Sequence, residues 1–466
     1  MSDQAGWRAL LNRDLAPRFV LLCLGIWLNA ADTLVTVTIM PSVAREIGGH
    51  QYFGWSVAAF LLGSILAGAC SGKLSIRLGL RGATALAGVA YAIGCASSAL
   101  APDFLVFVSG RLVQGLGAGA IVALCYVAIT ALFPESLWPR VYGAVAGVWG
   151  AATVLGPLCG GLFAETGYWR GAFWLFAAQA VIFILAVLVM VPAAPRGSES
   201  GRIPGRQLAL LTAGVCLIAA AGVTRGAWVP AVCAALGVAA LIALLGVNAR
   251  SADRLLPASA GDLRTATGLG LLVMFACEAA AIGFTVYGPA FMQALHGASP
   301  LLAGYVIGGI AAGWTVCSFA VAGLKPDQEG WAIRAGAAII VVGVSWGAVE
   351  VAHGSLLRVT LAMLTLGSGF GLCWAFLARR VIGGAPVEDQ ALASGAVPTV
   401  QLIGGAVGSA GAGALANALG FSHGIDPDLG RTAGLWLFLA FTPLALIGLA
   451  AAWRLGAPQV RARNPT

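Results

Sequence analysis

Residues 19–40 read FVLLCLGIWLNAADTLVTVTIM, an apolar run of the length that crosses a bilayer. Thirteen more such runs follow, at 53–72, 82–101, 104–131, 141–163, 171–192, 207–224, 227–248, 266–291, 300–323, 332–350, 356–378, 391–419 and 432–453. In hydrocarbon every backbone N–H and C=O must be satisfied inside the protein, so runs of this kind fold as helices. Their apolar character is continuous rather than alternating, which excludes a β-barrel. Only 9% of the 466 residues are charged, against about 25% in a soluble domain. The fold class expected is an all-α polytopic membrane protein, with no large soluble domain.

Charge position tests the count. If the N-terminus is cytoplasmic, 20 of the 26 Lys and Arg fall on the inner side, five on the outer side, and Arg111 inside a run. Basic residues accumulate on the cytoplasmic side of membrane proteins. Fourteen spans with both termini cytoplasmic keep this bias through every hairpin, and losing one span would invert all that follow. Only Arg225 and Gly226 separate the runs 207–224 and 227–248. They read as a tight hairpin or one broken helix, and together are twice a single span. Polar links at 193–206 and 249–265 set this pair apart. The expected domains are 1–195, a six-helix bundle; 196–260, an inserted transmembrane hairpin with cytoplasmic linkers; and 261–466, a second six-helix bundle.

Other functions find no support. The net charge of +8 is scattered in short clusters between runs, so nucleic acid is not an expected partner. The ten cysteines lie within apolar runs without a CxxC pair and read as small buried hydrophobes. The four histidines are dispersed near ends and loops, so no metal site is expected. There is no P-loop, no catalytic motif and no cofactor signature. Residues 1–18 carry no small-residue cleavage site, so the first run reads as a retained span rather than a signal peptide.

Of 18 acidic residues, only Asp32 and Glu278 lie well inside runs, with Arg111 the one embedded base. An ionisable group in a span is costly and by default functional. A carboxyl group that loses its water favours the neutral form, so an embedded acid can take up a proton and release it when water or a cation arrives. Asn29 and Thr36 lie one turn away from Asp32 on the same face. Glu278 reads as a second proton site or a charge for cationic substrates; it lies in the first span after the inserted pair. Both acids also admit a structural reading, as partners of neighbouring polar groups.

Glycine patterns relate the two halves. Gly115, Gly117 and Gly119 of the fourth run find an echo in Gly367, Gly369 and Gly371 of the twelfth. The fifth and thirteenth runs are both glycine-rich, which lets helix backbones approach and slide. Internal repeats of this kind point to a transporter with a central site between its halves.

Four stretches sharpen this. They are Asp32 to Pro41 (DTLVTVTIMP), GKLSIRLGLRG at 72–82, Arg111 to Gly119 (RLVQGLGAG), and Gly147 to Gly161 (GVWGAATVLGPLCGG). In this order and spacing the chain resembles the major facilitator superfamily, and within it the fourteen-helix drug:proton antiporter branch. The resemblance implies the major facilitator fold, two pseudo-symmetric six-helix bundles plus an inserted two-helix hairpin. It implies a proton-coupled exporter of amphipathic drug-like molecules in a bacterial inner membrane, working by alternating access as a monomer, with no enzymatic activity. Its partners would be a small-molecule substrate, protons and the lipid bilayer. Asp32 and Arg111 would couple protons, with Glu278 the second acid. The cavity-lining helices then carry Asn29, Thr36, Gln114, Tyr126, Trp149, Tyr287, Trp374 and Gln401 as candidates for substrate contact. Gly72, Arg77, Gly79 and Arg81 would belong to the conformational loop between the second and third helices. Gly156, Pro157, Gly160 and Gly161 would form a hinge near the second and eleventh helices of the family. One residue departs from the pattern: Ile76 stands where the loop signature has an acid that latches the cytoplasmic side. Export of a lipid, siderophore or metabolite, proton-coupled uptake, or a non-transporting sensor remain the alternatives.

Overall fold

A computed structural model describes residues 10, 12, 13, 15–193, 202–224, 226, 228–325, 327–425 and 427–456. The expected linker 193–206 and Arg225 therefore lie largely outside the described residues. The long helices are α1 (Ala16–Ile47), α2 (Phe53–Ala99), α3 (Phe104–Leu132), α4 (Trp138–Glu165), α5 (Arg170–Met190), α6 (Gly205–Ala221), α7 (Val229–Arg250), α8 (Ala266–His296), α9 (Pro300–Val321), α10 (Glu329–His353), α11 (Leu356–Gly383), α12 (Gln390–Ala418), α13 (Pro427–Leu439) and α14 (Thr442–Leu455). Among the described residues, twelve helices are long and apolar enough to cross a membrane.

Two boundaries differ from the sequence reading. The stretch 72–82, expected as a loop, is helical except at Gly79, whose φ of 72° and ψ of 159° break the 47-residue α2 into two rods. That backbone conformation is one only glycine adopts without strain. The last run is broken in the other sense. Ala440 and Phe441 form a turn between α13 and α14, and Pro443 opens α14, where its missing N–H costs nothing.

The helices form two bundles, α1–α5 and α8–α14. The same contacts recur in both. An added Cβ on Gly63 would strike the backbone of Leu112, Gly115 and Leu116, and one on Gly313 the backbone of Leu364 and Ser368. Gly94 lies on Gln114 as Gly343 lies on Leu366, and Gly117 on Tyr91 as Gly369 on Ile340. The glycine echo of the sequence is thus a set of equivalent helix crossings. It pairs α3 with α11 and the two rods of α2 with α9 and α10.

Among the described residues the bundles meet at one end. We call it the far end, as opposed to the basic end that carries Arg18, Lys73, Arg140, Arg379 and Arg380. At the far end Gly54 of α2 lies against Ser409 and Gly413 of α12, and Gly304 of α9 against Thr38 and Pro157. The Phe53 ring stacks on Tyr287, centroids 5.2 Å apart. Asn417 donates to the Gln51 carbonyl at 2.7 Å, and Tyr305 to the Val154 carbonyl at 3.0 Å. Toward the basic end these helices diverge. Gly143, Gly147 and Gly150 of α4, Gly395 of α12 and Gly72 of α2 have open space where a Cβ would go. A groove between the bundles therefore opens at the basic end and closes at the far end.

Candidate functional site

Asp32 lies in the middle of α1, and both its side chain and that of Arg111 on α3 are buried, 0% and 2% exposed. Arg111 Nη1 donates to Asp32 Oδ2 at 3.0 Å and to Oδ1 at 3.3 Å. Gln114, one turn along α3, donates from Nε2 to Asp32 Oδ1 at 2.9 Å and accepts from Arg111 Nη1 at 2.6 Å. Thr36, one turn along α1, donates to Asp32 Oδ1 at 3.2 Å. The helical spacings 32/36 and 111/114 deliver these groups to one point. The Asn29 side chain makes no hydrogen bond to Asp32 among the described residues.

Three members of this cluster escaped the sequence reading. Phe60 of α2 places its ring 4.2 Å from the Arg111 guanidinium carbon, an attraction that strengthens when desolvated. Cys95 accepts from Gln114 Nε2 at 3.1 Å. Tyr91, one turn from Cys95, is buried and donates to the Leu28 carbonyl at 2.9 Å, tying the second rod of α2 to α1. Their only sequence signal was the neighbouring Gly94 and Gly117, which bring α2 and α3 together at Gln114 and Tyr91.

The arrangement can hold one charge pair in two protonation states. A buried ion pair that loses one partner leaves an uncompensated charge, at a cost of about 3–5 kcal/mol. Besides Asp32, Arg111 has the Gln114 side-chain carbonyl and the Phe60 ring as partners, groups that would offset part of that cost.

Glu278 on α8 is half-buried and meets α12, where Gln401 donates to its Oε2 at 3.4 Å. Gly404 and Gly405 leave room for it, and a Cβ added on Gly405 would meet both Leu61 of α2 and the Glu278 carboxylate. This second acid therefore borders the seam between the bundles, next to the groove.

The aromatic candidates divide. Tyr126 of α3 stacks on Tyr142 of α4 at 6.0 Å, and Tyr126 is 44% exposed. Trp149, 42% exposed, lies two turns before Gly156 on the face of α4 that turns Gly156 and Gly160 to α1. Trp374 joins Trp314 and Phe370 in a cluster with centroids 4.9–5.8 Å apart. Tyr287, expected in the cavity, is instead sealed into the far-end contact beneath Phe53. Gln114, also expected there, faces Asp32 inside the first bundle.

The hinge expectation shifts as well. Gly156 meets Leu34, Gly160 meets Val35 and Thr38, and Gly161 meets Leu301. The Gly-Pro-x-x-Gly-Gly stretch thus packs against α1 and α9 rather than near α2 and α12, because its glycines admit only the backbones they face. Arg77 is exposed and Arg81 half-buried, and neither forms an ion pair among the described residues. Buried Glu329 at the start of α10 pairs with Arg379 and, at 4.0 Å, with Arg380 of α11.

Residues 22–409 match the family described as Major Facilitator Superfamily. A probable multidrug-efflux transporter of Mycobacterium tuberculosis is 30% identical over 472 residues, covering 97% of each chain. The multidrug transporter protein MdtP of Bacillus subtilis is 24% identical over 85% of this chain and 74% of its own. Among solved structures, the peptide transporter POT with bound sulfate superposes with a TM-score of 0.69 at 15% identity, over 97% of this chain and 96% of that one. A D-xylose-proton symporter does so with a TM-score of 0.62 at 17% identity, over 92% and 97%.

Proposed function

This chain belongs to the major facilitator superfamily, and from that premise we propose that it exports amphipathic drug-like molecules in exchange for protons. It is a multi-pass membrane transporter and not an enzyme. The reading places fourteen spans in a bacterial inner membrane, with α2 crossing twice and α6 and α7 once each. The basic end, with both termini, faces the cytoplasm, as the excess of Lys and Arg there supports. The protein works as a monomer of three parts, 1–195, 196–260 and 261–466. The names of the mycobacterial and Bacillus relatives support the cargo class.

The observation that carries the proposal is the buried Asp32–Arg111 pair with its alternative partners for the arginine. A pair whose charge can be cancelled by one proton without collapse suits a coupling site. Protonation of Asp32 loosens α1 from α3. Reionisation draws them together, so the proton state biases which end of the groove is closed. Moving one charge through 100 mV supplies about 2.3 kcal/mol, enough to shift such an equilibrium. Glu278, at the seam, acts as the second acid or meets cationic cargo. Tyr126, Trp149, Trp374 and Gln401 offer flat faces and a polar group to substrate entering from the cytoplasm. Asn29 lines the same path.

Purified protein in liposomes with an imposed pH gradient tests this. Wild type is expected to move a drug against its gradient, and Asp32→Asn to lose the dependence on the proton gradient. Coupled flux that survives in Asp32→Asn removes the proposal.

A further inference from the structure

The hairpin α6–α7 is attached unequally to the two bundles. Its second linker is folded. Asn248, 1% exposed, accepts from the N–H groups of Leu255 and Leu256 at 2.9 and 3.0 Å and donates to the carbonyls of Leu256 and Pro257 at 2.8 and 3.3 Å. Gln207 of α6 donates to the Asp253 carbonyl at 2.7 Å. Arg254 reaches Asp389, just before α12, at 3.5 Å. Thr265 caps α8, whose Gly268 lies on the carbonyls of Ser259 and Asp262. These bonds pair backbone groups of the elbow with its own side chains and leave the hairpin little freedom relative to α8 and α12. At the far end Gly222 lies directly on Ala414, with Asn417 beside it.

Toward the first bundle, one hydrogen bond among the described residues reaches α6. Trp55 of α2 donates from Nε1 to the Ala219 carbonyl at 3.2 Å. It lies one residue from Gly54, the crossing point of α2 on α12. The other far-end seam, α4 on α9, is the pseudo-symmetric counterpart; there α1 also meets α9, with Thr38 on Gly304, and Tyr305 donates to the Val154 carbonyl.

We infer that the α6–α7 hairpin moves as one body with the second bundle and straps the α2–α12 seam shut at the far end. Trp55 is the positioning residue of that strap. Far-end opening must break its hydrogen bond, in addition to the Asn417–Gln51 and Tyr305–Val154 hydrogen bonds between the bundles. The strap thereby holds the molecule toward the form open at the basic end. The inference rests on alternating access between two bundles.

Three exposed far-end positions test it: Tyr168 on the first bundle, Trp228 on the hairpin and His423 on the second bundle. Spin labels are placed there in pairs, in a background with the ten native cysteines replaced. Distances are read in nanodiscs at acid and alkaline pH, with and without ethidium. The expected result is a Tyr168–His423 distance that lengthens in the far-end-open form. Tyr168–Trp228 lengthens with it, while Trp228–His423 stays constant. A Trp228 that follows Tyr168, or follows neither, overturns the strap and leaves the exporter reading standing. A Tyr168–His423 distance that never changes removes the two-state premise and both proposals with it. Trp55→Phe keeps the ring and loses the N–H. It should raise the far-end-open population about two- to tenfold, the range one neutral hydrogen bond carries. An unchanged population overturns the strap as a restraint.

Discussion

Asp32 lies nine residues before Pro41 of α1, and Glu278 eleven residues before Pro289 of α8. The two helices correspond, but an offset of two residues is about 200° of rotation. Asp32 therefore turns to α3, into a sealed core, and Glu278 turns to α12, at the edge of the groove. In the second bundle the positions equivalent to Arg111 and Gln114 are Met363 and Leu366, both fully buried, and Asp32 falls opposite Ala280. One bundle has a polar seam where the other has an apolar one. The first is built to hold a charge away from water. The second bundle's acid is built to be reached.

The strongest way to break this comparison is to cut the first bundle's pair from one side. Arg111→Met alone leaves Asp32 buried without its cation. It should lose about 3–5 kcal/mol of stability, read as a lower melting temperature in detergent, together with proton-driven transport. Copying the second bundle's residues tests the same point differently. The combination Asp32→Ala, Arg111→Met and Gln114→Leu removes charge and partner at once. It should recover the lost stability, and add up to about 1–4 kcal/mol over wild type, while proton-driven transport stays absent. A triple variant as unstable as Arg111→Met would show that the seam is not the simple polar replacement described here.

A smaller effect separates packing from chemistry. An added Cβ on Gly94 would lie 2.2 Å from the Gln114 backbone nitrogen, and one on Gly343 2.6 Å from the Leu366 Cα. Gly94→Ala and Gly343→Ala should each cost about 1–3 kcal/mol by overpacking. Only Gly94→Ala moves Gln114 from Asp32, so only it should also change the pH profile of transport. The mildest change is Glu278→Gln, which keeps an acceptor for Gln401. Stability should stay within about 1 kcal/mol, and flux of cationic cargo should fall while flux of neutral cargo does not. Equal loss for both would move Glu278 from cargo to coupling.

Parts of this site were legible without coordinates. Thr36 and Gln114 stand one helical turn from Asp32 and Arg111, and turn spacing is a local property. The repeat of glycines in α3 and α11 announced equivalent crossings. Cys95, Tyr91 and Phe60 were not legible. A cysteine or an aromatic ring in an apolar run has the same sequence signature whether it faces lipid, core or a guanidinium. Tyr287 misled for the same reason: its helix lines the groove, but its own position lies at the far-end closure.

By itself the sequence determined the membrane class, the helices and the scarcity of embedded charge, because burial in hydrocarbon constrains each segment separately. It also determined that Asp32, Glu278 and Arg111 are the exceptions needing explanation. Only the tertiary structure decided that they pair with each other, that Glu278 faces a different seam, and that the glycine–proline stretch meets α1 and α9. Those outcomes depend on the rotation and crossing of helices far apart in the chain. A shift of one or two residues around a helix leaves composition and periodicity unchanged and exchanges every partner.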